Sequence, residues 1–275
     1  MSTKVKKAIL YICLILLAVT CLLPFWLMMV NATRSGVEIT HSFSFIPGSS
    51  LKDNWEGLFD YVNLFQGLWN SLKVAVPATL LTAYFSSITA YSMVVYKFKG
   101  KNLLFKVIII FMMIPAQLSL IGFYNLCQKL HLVDSYIPLI IPAIAVPGVV
   151  FFLRQYVEAT LPRALLEAAR MDGASELHIF HKIVIPIMAP GIATMSIGSF
   201  IGNWNSYLLP MILLNSPDKM TLPVMITTLN AATDLQKNQG AIYLGVAISV
   251  IPILIVFCFC SKYIISSIAA GSVKE

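Results

Sequence analysis

Apolar residues run through this chain in six long blocks, at roughly 8–30, 71–96, 103–125, 136–156, 187–210 and 241–264. A helix rises about 1.5 Å per residue, so about 20 apolar residues cross the hydrocarbon core of a bilayer. The pattern predicts an all-α, polytopic membrane protein: six transmembrane helices in a single domain over 1–275. The first block follows Lys4, Lys6 and Lys7, as a secretory leader would, and residues 30–32 (VNA) offer a weak cleavage site. It is longer than the roughly 7–15 apolar residues of a leader, so it reads as an uncleaved first span. Pro77, Pro115, Pro138, Pro142, Pro147 and Pro252 fall inside the blocks. Each frees a backbone carbonyl and can kink its helix, which membrane helices tolerate where neighbours satisfy the backbone.

The polar stretch between the fourth and fifth blocks, 160–186, has its own helical pattern. Thr160 is placed to cap a helix, with Pro162 in its first turn. Leu165, Ala168, Ala169 and Asp172 follow at helical spacing, and Gly173 falls where a left-handed residue ends a helix. Ser175 is placed to cap a second helix whose apolar stripe is Leu177, Phe180, Val184 and Ile187. Pro186 is expected to bend that helix as it enters the fifth span. Ala164, Ala168 and Ala169 permit close approach of another surface. Glu167, Arg170, Asp172, Glu176, His178, His181 and Lys182 add charge within sixteen positions. Two readings fit these residues: a surface shaped for a partner, and a solvated amphipathic loop.

Composition agrees with the membrane reading: 58% of residues are hydrophobic and 11% charged, against about 25% charged in soluble domains. The net charge of +7 does not indicate nucleic acid, because the basic residues edge the apolar blocks instead of forming one patch. With the N-terminus inside, 13 of the 19 lysines and arginines fall on the inner side, Lys262 and Lys274 of the tail among them, and six, including Lys219 and Lys237, on the outer side. This bias orients both termini to the cytoplasm and puts 160–186 there too. Two outer segments, 31–70 and 211–240, are long, polar and rich in turn residues. Cys13, Cys21, Cys127, Cys258 and Cys260 match no metal spacing and read as small buried residues. His41, His131, His178 and His181 form no catalytic cluster, which argues against a membrane enzyme. No phosphate-binding loop is present, since the Gly100–Lys101 pair lacks the upstream glycine and a following Ser or Thr. Candidates for a polar pathway are Thr82, Ser86, Ser87 and Tyr91, then Gln117, then Asn203, Asn205 and Tyr207. Asn and Gln suit sugar hydroxyls because each offers donors and an acceptor, and Trp204 is a candidate to stack on a sugar ring. Interhelical hydrogen bonding is the competing reading of the polar side chains.

The stretch EAARMDGASELHIFHKIVIPIMAP (167–190) resembles the E-A-A, three residues, G motif of permease subunits of binding-protein-dependent ABC importers. NSLKVAVPATLLTAYFSSITAYSM (70–93), KFKGKNLLF (97–105), MIPAQLSLIGFYNL (113–126), FFLRQYVEATLPRALLEAARMDGAS (151–175), NWNSYLLPMIL (203–213), TLPVMI (221–226) and AAGSVKE (269–275) resemble its maltose-type carbohydrate branch. The resemblance implies that 160–186 forms the coupling helices, seated in a cleft of a separate ATPase subunit. Glu167 would pair with a basic group there, Ala168 and Ala169 would allow close packing, and Gly173, next to Asp172, would make the turn. It implies a transmembrane subunit with no catalysis or cofactor of its own, ATP and Mg being bound by two partner ATPase subunits. The other implied partners are a homologous second permease, an extracytoplasmic sugar-binding protein that meets the loop at 211–240, and the lipid of a bacterial cytoplasmic membrane. The same architecture for another solute, such as glycerol phosphate or a modified uronate, is the alternative.

Overall fold

The computed structural model describes residues 3–231 and 239–272, with no strand among them. Lys237, Lys274 and the end of the 269–275 motif lie outside the described residues. In chain order the α-helices are α1 Thr3–Asn31, α2 Gly36–His41, α3 Leu51–Tyr61, α4 Leu64–Val95, α5 Lys101–Met113, α6 Leu120–Lys129 and α7 Ile137–Ile140. They continue with α8 Pro147–Thr160, α9 Arg163–Met171, α10 Glu176–Ile179, α11 Ile185–Trp204, α12 Leu208–Leu213, α13 Leu222–Ala231 and α14 Gln239–Ser272. Among the described residues five stretches are long and apolar enough to cross a membrane: Lys4–Asn31, Leu64–Val95, Ile137–Thr160, Glu176–Trp204 and Gln239–Ser261. The pair α5 and α6 raises the number to six if it is taken as one broken span.

Proline chemistry explains where these helices depart from the apolar blocks. The block 103–125 is interrupted, because Pro115 has no N–H and Ile114 before it is extended at φ −81°, ψ 120°, as a residue preceding proline prefers. A 3-10 turn, Ala116–Ser119, restarts the chain into α6. The block 136–156 opens with short turns around Pro138 and Pro142 and becomes a regular helix only from Pro147. Pro186, where a bend is expected, lies in a continuous helical stretch, Glu176–Trp204. It sits in the first turn of α11, directly after a π-turn at Phe180–Val184 that carries the helix through from α10. There Ile185 N–H reaches back five residues to Phe180 O, a local widening of the kind that accompanies departures from regular helix. The fifth span therefore starts at Glu176, inside the charged stretch, and ends at Trp204, short of the expected residue 210.

The chain divides into two compact units. The first holds the chain up to Leu68 together with Leu222–Ile251. Its organising residue is Arg34, which is 5% exposed. The guanidinium donates to Glu38 O at 2.9 Å and to Ser42 O at 2.8 Å, closing the segment that holds α2. Asn54 of α3 donates to Ala32 O and Arg34 O, both at 2.9 Å. A Cβ on Gly240 would strike Arg34 O and the Asn54 side chain, so only glycine lets α14 approach this closely. The stretch 31–63 is thus a built layer and not a loose connector.

The second unit holds Trp69–Thr221 and the chain from Pro252. One of its cores joins Ala90 and Tyr91 of α4, Leu153 and Val157 of α8, Leu166 of α9, and Ile179, Phe180, Val184 and Met188 of the α10–α11 helix. Full burial of each large side chain contributes about 1.5–3 kcal/mol, so this core fixes the charged stretch against two spans. Another network pins residues 215–220. Asp134, at φ 60°, accepts from Asn215 N and Ser216 N at 3.0 Å, Ser216 Oγ at 2.6 Å and Lys219 Nζ at 2.8 Å. Asn70 donates to Asp218 O and Met220 O, and Tyr136 to Lys219 O. With four donors on one carboxylate, Asp134 is held well below the usual carboxylate range, with Lys219 the largest cause.

Candidate functional site

The charged stretch forms a helical hairpin. α9 starts after Pro162, not at Thr160, because Thr160 belongs to the end of α8, where its hydroxyl donates to Tyr156 O at 2.7 Å. At its other end α9 closes in a Schellman turn. Ala174 N–H reaches Ala169 O and Gly173 N–H reaches Arg170 O, both at 3.0 Å, with Gly173 at φ 79°. Ser175 then caps α10, its hydroxyl accepting from His178 N–H at 3.4 Å.

The hairpin buries one side and offers the other. Leu166, Ala169, Ile179 and Phe180 face the core. Glu167, Ala168, Asp172 and Gly173 are exposed, so of the small residues Ala169 packs within the chain and Ala164 and Ala168 lie open. Glu167 takes part in none of the ion pairs among the described residues. It helps line a recess of about 250 Å³ with Lys97, Glu158, Arg163 and Arg170. Leu177 does not join the inward stripe: it is 65% exposed, and Met171 beside the turn is 88% exposed. The buried stripe is Ile179, Phe180, Val184 and Met188 instead: the extra residue of the π-turn moves the stripe beyond it from Ile187 to Met188, while Leu177, in the first turn of α10, stands clear of the core. The exposed face therefore combines small residues, acidic groups and two apolar prongs.

A clamp that sequence reasoning missed holds the hairpin. Arg170 Nε donates to Glu176 Oε1 at 2.8 Å and its Nη2 to Oε2 at 3.3 Å. Tyr91 OH donates to Glu176 Oε2 at 3.4 Å, and Tyr96 OH donates to the same oxygen. The signal was present in outline: Arg170 and Glu176 stand three residues either side of Gly173, so a Schellman turn brings them together. Tyr84 adds a contact from the same helix, its hydroxyl 3.3 Å from His181 Nε2.

The expected pathway residues do not converge. Thr82, Ser86 and Ser87 are at most 1% exposed and Tyr91 is 2% exposed, so they are interior residues of this chain. Thr82 donates to Ala78 O and to Ala143 O, at 2.9 Å each, satisfying backbone next to Pro142. Trp204 is 1% exposed and stacks on Phe200 at 5.7 Å, which removes it as a platform for a sugar ring. Asn203 Nδ2 donates to Ser199 O at 2.8 Å. Asn205 and Tyr207 are exposed where α11 ends. Gln117 lines an open recess of about 420 Å³ with Ser119, Phe123, Pro142, Ser206 and Leu208, and Asn203, Asn205 and Tyr207 are not among its lining residues.

Apolar helices long enough to cross a membrane, with an exposed, clamped hairpin between two of them, define a membrane-integral protein. The comparisons give its family. The profile of the family described as "Binding-protein-dependent transport system inner membrane component" matches residues 82–269, and the chain belongs to that family: it is a permease subunit of a binding-protein-dependent transporter. It is 35% identical over 263 residues to the arabinooligosaccharides transport system permease protein AraQ of Bacillus subtilis (strain 168), covering 94% of this chain and 92% of that one. It is 30% identical over 274 residues to the maltodextrin transport system permease protein MdxG of the same organism, covering 98% and 96%. The lactose transport system permease protein LacG of Rhizobium radiobacter is 30% identical over 264 residues, covering 96% and 95%. In fold, the chain is similar to a chain in the crystal structure of a bacterial ABC transporter involved in the import of the acidic polysaccharide alginate. The TM-score is 0.81 at 23% identity, covering 96% of this chain and 99% of that one.

Proposed function

We propose that this chain is the membrane permease subunit of an ATP-driven oligosaccharide importer in a bacterial cytoplasmic membrane, with both termini inside. It forms half of the translocation pathway, beside a homologous second permease. Two ATPase subunits bind ATP and Mg and perform the hydrolysis, and an extracytoplasmic binding protein delivers the sugar. The chain catalyses nothing itself. The observation that carries this reading is the exposed face of the hairpin. Glu167 takes part in no ion pair among the described residues, Ala164 and Ala168 leave room for a close surface, and Met171 and Leu177 stand out as apolar prongs. Exposed apolar side chains of this size on a shaped, charged surface suit a protein interface. In this reading Glu167, Ala168, Asp172 and Gly173 make the ATPase joint, and Ala169, expected to join them, packs the hairpin from behind. Gln117, Asn203, Asn205 and Tyr207 supply polar contacts along the pathway, Gln117 from the recess that it lines with Ser206. The choice of an oligosaccharide as cargo follows the arabinooligosaccharide, maltodextrin and lactose permeases to which the chain is similar.

The test is reconstitution. The chain is co-expressed with the second permease, ATPase and binding protein of its own gene neighbourhood, and the complex is placed in proteoliposomes. Labelled arabino-oligosaccharides, maltodextrins, lactose and alginate oligosaccharides are offered with ATP. Uptake of one of these, dependent on ATP and on the binding protein, is expected. Uptake of glycerol phosphate with none of the sugars would refute the cargo assignment. A chain that captures no ATPase subunit would refute the joint.

A further inference from the structure

The Arg170–Glu176 pair holds the two arms of the hairpin together, and the tyrosines at the end of α4 connect that pair to a particular helix. Glu176 opens the second arm of the hairpin. One carboxylate oxygen takes Arg170 Nε from the first arm, and the other receives Tyr91 OH and Tyr96 OH from α4 and the residue just beyond it. The carboxylate is therefore a three-way junction of both arms and one span. A second connection lies further along the same two helices. Tyr84, seven residues before Tyr91 and so on the same face of α4, has its hydroxyl 3.3 Å from His181 Nε2, and His181 Nδ1 lies 2.8 Å from Leu177 O. Between these connections Phe180 packs against both rings, 5.5 Å from Tyr91 and 6.1 Å from Tyr84. The π-turn Phe180–Val184 lies at this contact.

Hydrogen bonds and packed rings at two levels resist both sliding and rotation of one helix against the other. A carboxylate shared by an arginine and two phenols is also directional, since charge-assisted bonds are short and strong. We infer that Tyr91 and Tyr96, acting through Glu176, are positioning residues that make the docking hairpin and α4 move as one body, so that ATPase motion is delivered to α4 directly. The inference rests on the importer reading above and adds to it the route by which force leaves the hairpin. An ATPase can shift the membrane part only through contacts that differ between its two states, and a junction that slipped would dissipate that difference.

The experiment uses the assembled complex in proteoliposomes, with sugar carried and ATP hydrolysed measured on the same sample. Tyr91→Phe/Tyr96→Phe removes both hydroxyls and keeps the rings. The sugar carried per ATP is expected to fall by about 5-fold or more, the size of an ordinary coupling between sites, while the ATPase subunits still co-purify. Returning either hydroxyl, as Tyr91→Phe or Tyr96→Phe alone, is expected to restore part of the ratio. An unchanged ratio in the double variant would overturn the inference. A double variant that no longer assembles would also overturn it, because the hydroxyls would then serve folding or docking. Failure of the importer reading looks different: the parent complex itself would carry no sugar, or bind no ATPase.

Discussion

Replacing Gly173 tests the hairpin at its tightest point. Gly173 closes the Schellman turn at φ 79°, and an L-residue in the left-handed conformation costs about 1–2 kcal/mol. A Cβ built there meets nothing within 4 Å, so side-chain volume adds no penalty and the backbone conformation alone decides the outcome. If the cost falls on the docked shape, the docking-competent fraction drops by roughly 5- to 30-fold, and apparent ATPase affinity drops with it. Asn tolerates the left-handed conformation better than Ala, and a β-branched residue tolerates it worst. The expected order of retained affinity is therefore Gly, Asn, Ala, Val. Volume would instead rank Ala ahead of Asn, so this one pair separates the two explanations. The assay is titration of purified ATPase subunit against permease complexes carrying Gly173→Asn, Gly173→Ala and Gly173→Val, each checked for membrane insertion. Equal affinity for all four, or Ala clearly better than Asn, would refute the reasoning.

Three further outcomes follow. Glu167→Ala should loosen the ATPase by about 3–5 kcal/mol if its partner cation is enclosed in the cleft, against about 0–1 for an exposed pair; partial rescue by a charge swap with that cation is the confirming result, and normal assembly the refuting one. Asp134 has a depressed folded pKa, so its stabilisation of segment 215–220 is complete above the ordinary carboxylate value near about 4 and is lost as pH falls below it toward the folded value. Protease protection of that segment should decline in acid in the parent and be lower at neutral pH in Asp134→Asn; protection identical in the two proteins would count against the network. Reporter fusions at residues 50 and 225 should read outside and those at 100, 170 and 275 inside, and any reversal would overturn the orientation.

The sequence displayed the large features because their physics is local. Apolar blocks of membrane length, a cap at Ser175 and a left-handed glycine at 173 need only neighbouring residues to be read. The sides of the spans were not legible. A helix apolar all round gives no stripe to mark its buried face, so Thr82, Ser86 and Ser87 read equally as pathway residues and as interior ones until packing placed them inside. Trp204 misled for the same reason, with its partner Phe200 hidden in an apolar run. Ile187 misled through helical phase: its spacing to Phe180 and Val184 fits an α-helix, and nothing in the sequence announces a π-turn between 180 and 184, which moves the buried position to Met188. The clamp on Glu176 required knowing that the end of α4 lies against the hairpin, which is a tertiary fact.

The π-turn also gives the joint an uneven sensitivity to chain length that composition hides. An α-helix advances about 100° per residue, so one residue lost from the regular helix between Ile185 and Trp204, between the hairpin and the end of the span, would swing one against the other by about that angle and leave the span apolar, continuous and insertable. The π-turn at Phe180–Val184 differs, because it already holds one residue more than an α-turn and winds less per residue. Removing one residue there would close the wide turn to regular helix and leave Glu176 near its present bearing on Tyr91 and Tyr96. The same one-residue deletion would thus pass almost unfelt at one place in this helix and, a turn further on, send the chain to the membrane intact with its hairpin pointed the wrong way.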